Sequence, residues 1–118
     1  MSGLRSKRKG AEGEREAAFV LNEQFGTAFH RGRQYHGGPE SPDVAGGPKG
    51  LHVEVKRAER LSLYPALAQA ALDAKGDIPI VMHRSNGNPW VICIEMKHLK
   101  RFARWINDCS VAEDNQLK

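Results

Sequence analysis

Three acids and a lysine are the residues most able to act together. Pro42-Asp43 is followed, across the turn sequence Gly46-Gly47-Pro48-Lys49-Gly50, by Leu51-His52-Val53-Glu54-Val55-Lys56. Leu51, Val53 and Val55 alternate with His52, Glu54 and Lys56, the period of a half-buried strand, and the two segments should form a hairpin. If the turn closes with Ala45 opposite His52, then Val44 faces Val53 and Asp43 faces Glu54. Opposed residues share one sheet face with Cβ atoms about 5 Å apart. Lys56, two residues past Glu54, points the same way. Two carboxylates held that close repel, and a hard divalent cation, Mg²⁺ or Mn²⁺, relieves the repulsion. The register matters, because a slip of one residue sends Asp43 to the other face.

A third acid comes from the segment before the hairpin. Counting back from Phe25 through Leu21 and Ala18 leads to Glu14, on the same helical stripe as the apolar residues. A carboxylate on a buried stripe is costly unless something pairs with it, which makes Glu14 a candidate ligand. Glu12 and Glu16 read more simply as acids favouring a helix N-terminus. With Glu14, Asp43 and Glu54 as ligands, a bound cation polarises a phosphodiester and acidifies a water that attacks phosphorus in line. Lys56 then orients that water or offsets charge on the phosphoryl oxygens; otherwise it is a cross-strand partner of Glu54, worth little at a surface.

The elements that must position these groups follow from the rest of the pattern. A first helix is expected from Gly10 to Phe25, stopped by Gly26, then a short strand over Thr27–Arg31. Gly32 to Ser41 is a loop rich in Gly and Pro. After the hairpin, Pro65 suits the first turn of a second helix that carries Leu67, Ala70, Ala71 and Ala74 and ends at Gly76. Ile78–His83 and Trp90–Ile94 are strands joined through Ser85-Asn86-Gly87-Asn88. Leu99, Phe102 and Ile106 mark a third, amphipathic helix. A helix between strands implies a right-handed crossover, so the expected fold class is α/β, a mixed five-stranded sheet flanked by helices.

A chain of 118 residues is one domain's worth. Residues 1–9 read as a flexible basic arm, 10–110 as the domain, and 111–118 as a polar tail. No apolar run is long enough to cross a bilayer, and the first ten residues have no signal-peptide character, so no membrane partner and a cytoplasmic location are expected, host cytoplasm if the chain is viral. Cys93 and Cys109 are expected to be reduced thiols. His30, His36, His52, His83 and His98 show no zinc-ligand spacing, so a zinc site is not expected. The net charge of +4 and the cluster Arg5, Lys7, Arg8 and Lys9 would suit a polyanion, although a solvated tail explains the same charges.

Pro42-Asp43 with Glu54-Val55-Lys56 resembles the signature of the PD-(D/E)xK nuclease superfamily, and Lys9-Gly10-Ala11-Glu12-Gly13-Glu14-Arg15-Glu16 resembles the opening of the archaeal-type Holliday junction resolvases. The resemblance spans about Lys9 to Glu95. It implies a restriction-endonuclease-like core with Glu14, Asp43, Glu54 and Lys56 catalytic, the three acids binding Mg²⁺ (Mn²⁺ substituting) and the Val55 carbonyl helping. It further implies a homodimer cutting branched DNA at four-way junctions. An arginine important in that family falls on Arg31, with Arg33 close enough to compete. Either is a phosphate contact or a plain surface charge, beside Arg5, Lys7, Arg8 and Lys9. Gln69 sits where some superfamily members carry a supporting glutamine, or is an exposed helix residue. Other readings are a nickase, a repair nuclease, a restriction-like enzyme on ordinary duplex, or a catalytically silent nucleic-acid-binding module.

Overall fold

The structure is a computed structural model that describes residues 2–32 and 43–117, with side chains over 10–32 and 43–110. Pro42, Arg33 and the rest of the expected 32–41 loop beyond Gly32 lie outside the described residues, as do the side chains of Arg5, Lys7, Arg8 and Lys9. The chain runs α1 (Ser2–Phe25), β1 (His30–Arg31), β2 (Val44–Ala45), β3 (Leu51–Arg57), α2 (Leu63–Ala74), β4 (Ile78–Arg84), β5 (Val91–Cys93), a single 3₁₀ turn (Met96–His98) and α3 (Leu99–Leu117). The five strands form one sheet in the order β1-β2-β3-β4-β5. The β3–β4 pair is parallel and the other three pairs are antiparallel. This is the mixed α/β sheet flanked by helices that the sequence pattern predicts.

Several boundaries differ from expectation. Helix α1 begins at Ser2 rather than Gly10, so its backbone takes in the stretch read as an arm, and α3 continues through the stretch read as a tail as far as Leu117. Glu12, Glu14 and Glu16 therefore lie in the middle of α1, too far from its first turn for the helix dipole to explain them. Strand β1 is two residues long, shorter than Thr27–Arg31, because Asn22 ties down the segment before it. Asn22 accepts from Phe29 N (2.7 Å) and Thr27 Oγ1 (2.8 Å) and donates to the Phe29 carbonyl (2.9 Å). Helix α2 ends at Ala74 with Lys75 as a left-handed cap at φ 49°.

Two apolar layers hold the sheet. On one side Ala17, Ala18 and Leu21 of α1 and Phe102, Trp105 and Cys109 of α3 pack on Leu51, Val53, Ile78, Ile80 and Met82. Phe25 meets Trp105 edge-on, with ring centroids 5.3 Å apart, a favoured aromatic geometry. On the other side Ala66, Leu67 and Ala70 of α2 cover Val81. Gly13 is buried where α1 crosses β3, and a Cβ there would fall 2.6 Å from Arg57 Cβ. Only the missing side chain lets the helix approach so closely. The hairpin turn is pinned from outside the sheet, because Trp105 Nε1 donates to the Lys49 carbonyl at 3.0 Å. Gly50 takes φ 105° at the end of that turn, a value side chains rarely adopt, and its carbonyl accepts from Ile78 N.

Candidate active site

The hairpin register decides whether the site exists, and Val44 pairs with Val53 as expected. Asp43 and Glu54 are thereby set opposite each other. Asp43 is fastened to the strand it faces, since its Oδ2 accepts from Val55 N at 2.8 Å while its own N–H donates to the Val53 carbonyl at 3.2 Å. The Val55 backbone thus meets Asp43 through its N–H. Burial raises the Asp43 carboxyl to about 6 from an ordinary 3.8, and the Glu54 and Glu14 carboxylates push it further the same way; the Val55 N–H acts against the rise. Glu54 and Glu14 thus act electrostatically on Asp43, although among the described residues these three carboxylates do not form a group with all ligand atoms within 4.8 Å of one another. Their mutual repulsion is the feature a divalent cation would relieve, and an all-oxygen donor set fits Mg²⁺ or Mn²⁺.

Glu14 reaches this place from α1 and is held by Arg31, whose Nε donates to Glu14 Oε2 at 2.8 Å. Arg31 is thus neither a free surface charge nor turned outward; it leaves β1 to steady the third acid. Glu16, expected to serve only the helix terminus, accepts from Trp90 Nε1 at 2.6 Å and pairs with Arg84. These partners hold its carboxyl below the usual range despite the burial that would raise it. Glu16 is a clamp between α1 and the β4–β5 hairpin.

Lys56 occupies the Glu54 face of β3 by strand alternation but makes no ion pair with Glu54 among the described residues. Glu54 pairs instead with His52, Nε2 to Oε1 at 2.8 Å, both side chains nearly out of water. Lys56 lines a cavity of about 330 Å³ together with Leu61, Ser62, Ala66 and Gln69. No family model, curated protein or solved structure matches the chain. The nuclease resemblance therefore stands on its sequence motif alone.

Gln69 is exposed, as a surface helix residue, yet it donates to Asp73 Oδ2 at 2.9 Å, one helical turn on. Asp73 is buried and brings a donor atom within 4.8 Å of donors from His52 and Glu54. Sequence reasoning found neither His52 nor Asp73. A search for histidine spacing cannot see this group, because its members come from β3 and from α2 and meet only through the parallel crossover. The alternation of His52 with Glu54 was the one available signal, since it puts both on one face.

Proposed function

We propose that the chain is a metal-dependent DNA endonuclease of the PD-(D/E)xK type, acting on branched DNA, with four-way junctions as its substrate. The observation that carries this reading is Asp43 set opposite Glu54 by the hairpin register, with its carboxyl raised to about 6 by burial and by the charges of Glu54 and Glu14. Glu14, Asp43 and Glu54 would hold Mg²⁺ (or Mn²⁺), with the Val55 carbonyl as a further donor. The ion supplies Lewis-acid polarisation of a phosphodiester and a more acidic water. The chain's own residues do the rest. The Val55 N–H keeps the Asp43 carboxylate against β3, Arg31 fixes Glu14, and Lys56 in its half-buried cavity presents an ammonium to the phosphoryl oxygens or to the attacking water.

Affinity for DNA would come from the basic residues, Arg5, Lys7, Arg8 and Lys9 of α1 with Arg33, through phosphate contacts that carry no sequence information. No helix among the described residues is long and apolar enough to cross a membrane. A cytoplasmic location, where the DNA is, belongs to the same reading. A homodimer suits a junction, whose paired cuts need two sites related by a two-fold axis. Exposed Tyr64, Ile92 and Met96 around one groove supply apolar surface for such an association.

The test is a cleavage gel in Mg²⁺ comparing a synthetic four-way junction, a fork and a linear duplex, with product mapping on both strands. Symmetric cuts confined to the junction support the reading. Equal cutting of linear duplex would leave the nuclease and remove the junction, and no cleavage of any DNA in Mg²⁺ or Mn²⁺ would leave only a nucleic-acid-binding module. Lys56→Ala is expected to abolish cutting while leaving junction retention in a gel-shift assay largely intact.

A further inference from the structure

Glu54 has a second set of neighbours, on the α2 side of the sheet, that phosphodiester chemistry does not use. His52 places Nε2 2.8 Å from Glu54 Oε1. Asp73 arrives from the last turn of α2, so that one donor atom from each of the three residues lies within 4.8 Å of the other two. Their exposures are 4% for His52, 8% for Glu54 and 7% for Asp73. Asp73 accepts a hydrogen bond from the neutral amide of Gln69, and no lysine or arginine among the described residues forms an ion pair with it or with Glu54. Two carboxylates removed from water beside a single imidazole are costly to bury unless a cation shares them.

A cation would offset that cost, and the donor types choose which. The Glu14, Asp43 and Glu54 group offers only oxygen and suits a hard ion. Adding an imidazole nitrogen shifts preference to a borderline transition metal, for which mixed nitrogen and carboxylate ligation at short range is usual. We propose that His52, Glu54 and Asp73 form a second divalent-cation site, selective for Zn²⁺ or Co²⁺ over Mg²⁺. The three ligand residues are nine-tenths buried, so the site is of the structural rather than the substrate-binding kind, with a bidentate carboxylate or an enclosed water completing the four-coordinate set. It ties α2 to β3 and fixes the Glu54 carboxylate from behind. The site stands on its own residues and does not require the nuclease reading.

The experiment uses the full chain, stripped with chelator and kept in excess Mg²⁺ so that the oxygen-only group is supplied with its hard ion. Calorimetric titration with ZnCl₂ is expected to show one ion per chain, and Zn²⁺ is expected to raise the thermal unfolding midpoint, as any ligand of the native state does. Asp73→Asn and His52→Gln should each weaken Zn²⁺ binding by about tenfold or more and cancel the thermal shift, whereas Asp43→Asn should retain both. Unchanged Zn²⁺ affinity in Asp73→Asn, or no Zn²⁺ uptake by the wild type against Mg²⁺, overturns the site. Should neither variant fold, the proton spectrum of the Co²⁺-loaded wild type decides, because paramagnetically shifted imidazole signals are required and their absence rejects the site. Cleavage measured in parallel separates the two readings. A chain that cuts DNA yet ignores Zn²⁺ loses only this site, and one that takes Zn²⁺ through His52 and Asp73 yet cuts nothing loses only the nuclease.

Discussion

At the scale of single residues, Asp43 is the group whose environment says most about what the site is for. Its carboxyl titrates near 6 in the folded, metal-free chain against an ordinary 3.8, so the native state binds that proton more tightly than the unfolded chain. The stability this provides is fully present below about pH 4 and lost as the pH rises through 6. By pH 8 the loss is on the order of 2–3 kcal/mol. Asp43→Asn removes the charge while keeping an oxygen for the Val55 N–H. Urea unfolding in chelator is therefore expected to show the variant more stable than wild type at pH 8 and equal to it near pH 4. Greater stability of the wild type at pH 8 would mean that Asp43 is not repelled by its neighbours. The same variant should lose Mg²⁺-dependent cleavage by at least about 100-fold, the usual scale for deleting a group that stabilises developing charge, so that stability and activity move in opposite directions.

At the scale of elements, the site is a matter of how closely α1 and the hairpin approach β3. Gly13 sets the first distance. Gly13→Ala puts a methyl group into Arg57 Cβ and lifts α1 from the strand, with an expected cost of about 1–3 kcal/mol in chemical denaturation. Because Glu14 is the next residue, cleavage should fall further than the lower stability explains, as read under conditions where the variant is fully folded. The hairpin was legible in the sequence for a simple reason: strand side chains alternate with a period of two, and a five-residue turn leaves few registers in which Val44 meets Val53. The placement of Asp43 opposite Glu54 and the existence of each helix followed from that kind of local pattern, whereas the start of α1 and the end of α3 did not. Partners far apart in the chain were not legible. Glu16 finds Trp90 and Arg84, and His52 with Glu54 finds Asp73, through the order of strands and the path of α2, which no short-range periodicity encodes. Lys56 lies between these cases. Its face was predictable, but Glu54 had already taken His52 as its partner.

At the scale of the whole molecule, the proposed function assigns the net charge of +4 and the basic residues at the start of α1 to encounter with DNA rather than to the cutting step. Replacing Arg5, Lys7, Arg8 and Lys9 with glutamine should weaken junction binding and flatten its dependence on salt, by about 0.9 in log–log slope for each phosphate no longer neutralised. The cutting rate at saturating DNA should be unchanged; a fall in that rate would place these residues at the chemistry instead. The aromatic side chain that pins the Lys49 carbonyl has a different consequence. Trp105 belongs to α3, the last of these elements to leave the ribosome, whereas Glu14, Asp43, Glu54 and Lys56 are all translated before α2 begins. A transcript cut short after Glu95 would still spell out all four proposed site residues, yet its product should be inert, because it lacks the Phe102, Trp105 and Cys109 side chains of the core as well as the clasp over the 46–50 turn.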